Sequence, residues 1–247
     1  MERWEIDINC DVGEGLGNEA KLFPYISSCN LACGGHAGDA KTMSEVISLA
    51  MSHNIRIGAH PSYPDKDNFG RKSINMEAGE FKKSILSQVR MLEDLIAEQK
   101  GIMTHIKAHG ALYNDLATDR ELSILYLDTL REYRSSVSLF VPYGSVIGRE
   151  AEKSGFKFLY EAFGDRNYRD DLTLVPRSEG NALLTNPTAV FEHLIRMIQS
   201  SSVRTISGAL IPLVAHTYCI HGDTRSAYEI LMYLSDEFPK HNIHLKK

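Results

Sequence analysis

Lys107 and His109 stand two residues apart at the end of the apolar run MTHIKAH (103–109). In an extended chain alternate side chains share a face, so an ammonium and an imidazole project together. The first holds phosphate or a developing oxyanion, and the second exchanges a proton near neutral pH. Comparable groups recur at the ends of other short apolar runs. Asn9 and Asp11, again two apart, are followed by Glu14 in NCDVGEG. ACGGHAGD supplies His36 and Asp39, and GAHPSYPDKDNFGR supplies His60, Asp65 and Arg71. Tyr113 and Asn114 follow His109; YEAFGDRNY supplies Glu161, Asp165 and Arg166; AHTYCIHGD supplies His216, His221 and Asp223. Cations for an anion, a base for water and an acid for a leaving group are what hydrolytic and phosphoryl-transfer chemistry needs.

Each of these residues has a plainer reading. Asp39 and Asp223 suit helix N-caps. Lys107 suits a pair with a core carboxylate, and a lone His near a strand end suits a structural hydrogen bond. Recurrence tips the balance, because more acids and imidazoles stand at the run ends than caps require. Asp11, His36, His60 and His109 are residue types that bind divalent metals, but no two of these histidines stand in an HxH, HExxH or HxxxH spacing. The expectation is therefore no tightly bound metal, with at most a weak Mg²⁺ site at Asp11, His36 and His60. GLG (15–17) and CGGHAG (33–38) match neither a dinucleotide fingerprint nor a phosphate-binding P-loop.

The elements that must position these groups alternate along the chain. Strands are expected at 4–9, 28–33, 55–60, 103–109, 137–142, 156–161 and 210–220, with a turn after 109. Helices are expected at 39–54, 77–99, 119–133, 145–155, 186–198 and 223–238, where apolar residues step by three and four. Asn186 followed by Pro187 is a helix start. Strand–helix repetition implies a parallel sheet, and seven strands fit a closed or nearly closed (β/α) barrel. Such a fold gathers the strand ends at one mouth. No linker or internal repeat divides residues 1–247, so a single domain is expected.

The chain of 247 residues is long enough for a substantial core, with 43% hydrophobic and 24% charged residues. A net charge of −5 with no Lys/Arg cluster argues against nucleic acid; the KK pairs at 82–83 and 246–247 read as solvated. No apolar stretch is long enough for a membrane span. The acidic start MERWEIDINCDVGEG lacks a signal-peptide core, so a cytoplasmic location is expected. Cys10, Cys29, Cys33 and Cys219 then read as reduced, buried fillers.

The stretches DINCDVGEG, CNLACGGHAGDAKTM, GAHPSYPDKDNFGR, KAHGALYN, FGDRNY, LVPR and CIHGD together resemble the LamB/YcsF family, which contains the A subunit of ATP-dependent 5-oxoprolinase. The resemblance runs from about residue 6 to about residue 230. Gly35, Ala40, Ala108, Gly164 and Asn167 depart from the family's usual residues, and none of these departures removes a charge or an imidazole. The resemblance implies an irregular seven-stranded (β/α) barrel akin to polysaccharide deacetylases. It implies opening of 5-oxoproline to L-glutamate coupled to hydrolysis of ATP with Mg²⁺, alongside partner subunits B and C; a homodimer is left open. In that frame Lys107 and Arg71 neutralise phosphate or an oxyanion, and Asp11 or Glu14 activates water or holds Mg²⁺. His60 or His109 passes a proton to nitrogen, and Arg166 or Arg177 grips the substrate carboxylate. Asn9, His36, Asp39, Tyr113, Asn114, Glu161, Asp165, His221 and Asp223 complete the expected binding set. Two rivals remain: a metal-dependent deacetylase or amidohydrolase that uses no ATP, and a non-catalytic barrel that binds a small acid.

Overall fold

Strand β1 (Trp4–Val12) shows how the barrel is built. Ile6, Ile8, Cys10 and Val12 enter the apolar layer. Asp7, Asn9 and Asp11 alternate with them and bond across the lumen to other strands. The computed structural model describes residues 3–224 and 226–246. Lys247, expected to be solvated, and Arg225, within the expected last helix, lie outside the described residues.

β1 is followed by β2 (Ser28–Ala32), β3 (Arg56–His60), β4 (Met103–Ile106), β5 (Ser138–Pro142) and β6 (Phe158–Phe163). Each pairs in parallel with the next. After a short antiparallel hairpin, β7 (Ser202–Arg204) and β8 (Leu210–Pro212), strand β9 (Thr217–Cys219) pairs with both β6 and β1. This closes a seven-stranded parallel barrel, and β10 (Ile243–Leu245) adds to the first residues of β1. The closed barrel agrees with the expectation from the sequence.

The flanking helices are α1 (Glu19–Leu22), α2 (Ala40–Ser52), α3 (Ala78–Glu98), α4 (Gly110–Thr118), α5 (Arg120–Thr129), α6 (Val146–Lys153), α7 (Pro187–Ser200) and α8 (Ala227–Glu237). The starts of α2, α5, α6 and α7 are set by side chains that satisfy otherwise orphaned amides. Asp39, Asp119, Ser145 and Asn186 accept from the backbone N–H of Thr42, Leu122, Gly148 and Ala189. The buried stripe Phe81, Ile85, Val89, Leu92 and Ile96 seats α3, as its periodicity predicts. One apolar cluster runs from Ile6 to Ile243 between barrel and helices.

Three local expectations are corrected. The segment 210–220 is two strands: Leu210–Pro212 pairs with β7, and Thr217–Cys219 closes the barrel. Pro212 has no N–H with which to extend a ladder. Regular pairing of the fourth strand stops at Ile106, although Lys107 and His109 still donate backbone N–H groups to Ala59 and Pro61, both at 2.9 Å. The expected turn after His109 is instead helix α4, which opens with Gly110 at φ +57°.

Candidate active site at the barrel mouth

The lumen is polar where a barrel of this type is usually filled by branched apolar residues. Register places Asp11, Asn30, Gly58 and His105 side by side on the first four strands. Gly58 is required there, because a Cβ would lie 2.2 Å from the His105 ring. Asn30 Nδ2 donates to Asn9 Oδ1 and Asp11 Oδ1, both at 2.7 Å, and His105 Nε2 lies 2.8 Å from Asn30 Oδ1. Asn9 Nδ2 donates to Thr217 Oγ1 at 2.7 Å and Glu161 Oε1 at 2.9 Å. Burial pushes the His105 ring down to about 3, so it stays neutral.

Lys107 stands at the head of this lumen with 2% exposure. Its ammonium lies 2.9 Å from both Asp11 Oδ1 and Glu161 Oε1, and donates to Cys219 Sγ at 3.2 Å. Burial alone would lower the Lys107 pKa, but Asp11, Cys219 and Glu161 hold it above its ordinary value. Burial likewise opposes the Asp11 carboxylate, and His60 and Lys107 outweigh it, keeping that group well below the usual range. The plainer reading of Lys107, a pair with a core carboxylate, is thus correct as far as it goes. The same ammonium also faces a cavity of about 310 Å³ at the mouth.

Three imidazoles sit above it. His60 Nδ1 lies 2.8 Å from the carbonyl oxygen of Lys107, and His109 Nε2 lies 3.0 Å from that of Phe69. The rings of His60 and His109 meet edge to face, with His109 Nδ1 3.0 Å from His60 Nε2. His36 stacks on His109 at 3.6 Å between centroids, and its Nε2 lies 3.0 Å from Glu14 Oε1. Burial and then His60 depress the His36 pKa; burial, His36 and His60 depress that of His109. Burial and the neighbouring Asp11 push the Glu14 carboxyl up to about 7. A group that gains and loses its proton near neutral pH suits acid–base work.

The rim carries guanidinium groups. Arg71 and Arg177 both reach Asp223, at 2.6 Å and 2.8 Å, and Arg71 lies over the Phe69 ring. Arg166 donates to the Val175 carbonyl at 2.6 Å, while its buried Nε has no hydrogen-bond partner among the described residues. Asp165 accepts from the His221 backbone N–H at 3.0 Å and lies 2.9 Å from its ring Nδ1. A second cavity of about 380 Å³ adjoins the first, sharing Tyr113, Asn114, Phe163 and Leu174.

Of the residues expected from the sequence, Asp11, Glu14, His60, Arg71, Lys107 and His109 line the first cavity. So do Tyr113, Asn114, Arg166, Arg177, His221 and Asp223. Glu161 lines the second cavity. Asn9, His36 and Asp165 act from behind, through Lys107, Glu14 and His221 respectively. Asp39 is a correction: its side chain is spent on the N-cap of α2, and it does not reach the cavity. His216 accepts from the Tyr160 backbone N–H, and Asp65 accepts from that of Asn68, so both are structural. Asn30, His105, Thr217 and Cys219 were not anticipated. His105 was legible, since it continues the alternation of Lys107 and His109 by one step. Cys219 reads as filler, and Asn30 lies inside the short run SCNLAC without a neighbour that marks it.

Fold and site define a (β/α)-barrel protein with an ammonium, imidazoles, carboxylates and guanidinium groups around one cavity at the strand ends. The chain belongs to the LamB/YcsF family, whose profile matches residues 6–247. It is 36% identical over 244 residues to the 5-oxoprolinase A subunit from Bacillus cereus (strain AH820), covering 96% of each chain. The 5-oxoprolinase A subunit from Bacillus anthracis is likewise 36% identical, over 243 residues. A lactam utilization protein from Thermus thermophilus superposes with a TM-score of 0.91 at 30% identity, covering 98% of this chain and 99% of that one.

Proposed function

We propose that the chain is the A subunit of an ATP-dependent 5-oxoprolinase, opening the lactam ring of 5-oxoproline to L-glutamate with hydrolysis of ATP, in concert with partner subunits B and C. The supporting observation is the buried Lys107–Asp11 pair beneath the His60–His109 pair, all four lining one cavity. Kinship with the A subunits of 5-oxoprolinases and with a lactam utilization protein points to the lactam.

The lactam carbonyl resists attack because amide resonance lowers its electrophilicity. In this reading the γ-phosphoryl group of ATP, supplied with Mg²⁺, is transferred to the lactam oxygen. Water adds to the activated carbon, and the ring nitrogen leaves as an amine after taking a proton. A second water releases phosphate from the resulting acyl phosphate. Lys107 and Arg71 offset negative charge on oxygen and phosphate. Glu14 takes the proton of attacking water, and His109 or His60 delivers one to the nitrogen. Arg177 presents a planar fork to the substrate carboxylate, in competition with Asp223. The chain has no stand-alone nucleotide motif, so partner subunits complete the nucleotide site in this reading. Its free, buried cysteines suit the reducing cytoplasm.

The test combines the chain with B and C, ATP, Mg²⁺ and 5-oxoproline, and follows glutamate and phosphate together. Equal release of both, lost when any one component is omitted, is the expected outcome. Glutamate formed at full rate without nucleotide would favour the amidohydrolase. Binding with no turnover would favour the small-acid-binding barrel.

A further inference from the structure

The tautomers of two facing imidazoles can be read from their partners. A carbonyl oxygen only accepts, so His60 carries hydrogen on Nδ1, toward Lys107, and His109 carries it on Nε2, toward Phe69. In the neutral rings both inward nitrogens, His60 Nε2 and His109 Nδ1, therefore present lone pairs to each other at 3.0 Å. Two more acceptors join them. Asp11 Oδ2 lies 3.4 Å from His60 Nε2, and Glu14 Oε1 lies 3.5 Å from His109 Nδ1. Four acceptors on one small space call for a positive particle among them.

A proton shared along the nitrogen–nitrogen line would satisfy the two rings, but it would leave Asp11 Oδ2 unserved and Glu14 Oε1 held by His36 Nε2 alone. A metal ion would serve His60, His109 and Glu14, whose ligand atoms lie within 4.8 Å of one another, with Asp11 Oδ2 beside His60 as the fourth. Bonds of about 2.1 Å from a cation to nitrogen and oxygen put neighbouring ligand atoms about 3.0 Å apart in an octahedral shell and about 3.4 Å apart in a tetrahedral one. The three observed separations of 3.0, 3.4 and 3.5 Å fall in or beside that range. The two rings stand at 87° to each other, so their lone pairs converge from different directions. His36 Nε2, 3.0 Å from Glu14 Oε1, fixes that carboxylate from behind, the outer-shell support usual in metal sites.

We infer that His60, His109, Glu14 and Asp11 form a binding site for one first-row divalent transition-metal ion, open to the cavity at the barrel mouth. Imidazole donors favour Zn²⁺, Co²⁺ or Fe²⁺ over the harder Mg²⁺. This replaces the weak Mg²⁺ site at Asp11, His36 and His60 considered from the sequence. Spacing patterns did not disclose it because the ligands come from three separate strand ends, those of β1, β3 and β4. The role of the ion, polarising the lactam carbonyl or a water, rests on the proposed function and would replace the proton-transfer roles given there to His60, His109 and Glu14; its binding does not rest on that function.

The test therefore uses neither lactam nor nucleotide. The full chain, stripped with a chelator, is titrated with Co²⁺ by visible absorption and with Zn²⁺ by calorimetry. The expected result is one ion per chain, with affinity falling about 100-fold or more in both His60→Asn and His109→Asn, since loss of outer-shell partners alone costs 10- to 100-fold. A readout on the unmutated chain covers variants that fail to fold. Co²⁺ loading should give two exchangeable, paramagnetically shifted ring N–H resonances, from His60 Nδ1 and His109 Nε2. Binding confined to millimolar ion, affinity unchanged in both variants, or a shared imidazole proton that persists in excess Co²⁺ would overturn the site. Failure of the lactam assay alongside stoichiometric Co²⁺ binding would overturn the function and leave the site standing.

Discussion

Lys107 shows how a residue that holds the lumen together also faces the chemistry. Its ammonium sits between Asp11 and Glu161, and Glu161 Oε2 has no hydrogen-bond partner among the described residues. Removing one partner of a buried ion pair typically costs about 3–5 kcal/mol, because the remaining charge is stranded. Lys107→Met, which keeps the volume, should lose about that much stability in urea unfolding at pH 7. The sign of its pH dependence follows. In the wild type the depressed Asp11 pKa contributes stability above the unfolded carboxylate value, and acidification removes it. In the variant only His60 and His221 still oppose burial at Asp11, so the Asp11 pKa rises. The folded variant then binds more protons than the folded wild type, so its deficit in stability grows as pH rises. The gap between variant and wild type should therefore narrow toward pH 4. A gap that stays constant would show that the carboxylates do not sense Lys107. Coupled turnover should fall by about 10²-fold or more.

At the scale of elements, the join between loop and helix around Gly110 aligns the imidazoles. Gly110 has φ +57°, and a Cβ there would lie 2.5 Å from the Gly70 carbonyl oxygen, which accepts from Ala111 N–H at 2.9 Å. The preceding residue of that loop, Phe69, holds His109 Nε2. Gly155 also has positive φ, +70°, but nothing lies within 4 Å of its added Cβ. Gly155→Ala should thus cost only the backbone term, about 1 kcal/mol, and leave turnover intact. Gly110→Ala should cost about 2–3 kcal/mol and cut turnover as well. Equal losses, measured by thermal melts and the coupled assay, would deny the contact its role. Strands of branched residues and helices with three-and-four periodicity were legible because burial on one face leaves that mark. Helix α4 was not, because its first residue, Gly110, reads locally as a turn. Gly35 shows why one departure from the family pattern is harmless. The space a side chain would fill is taken by Gln88, whose amide bonds both the N–H and the carbonyl of Ser62.

For the whole molecule, one apolar cluster spans barrel and helices, and this predicts a single cooperative unfolding transition. The four cysteines report on it independently. All are buried and free, and burial pushes every thiol up, Cys33 to about 12. A thiol reagent at pH 8 should label none in the native protein and all four at the urea concentration where circular dichroism changes. Labelling at two separate midpoints would reveal a division of the chain. The polar interior has a further consequence. Contacts run from Asp7 through Thr217 and Asn9 to Lys107, then through Asp11 and His60 to His109. Sliding any contributing strand by one residue would turn its lumen groups outward and bring aliphatic ones in. Several neighbours on other strands would lose their partners at once. Near-miss arrangements of the chain are thus heavily penalised, and the interior that houses the chemistry also proofreads assembly.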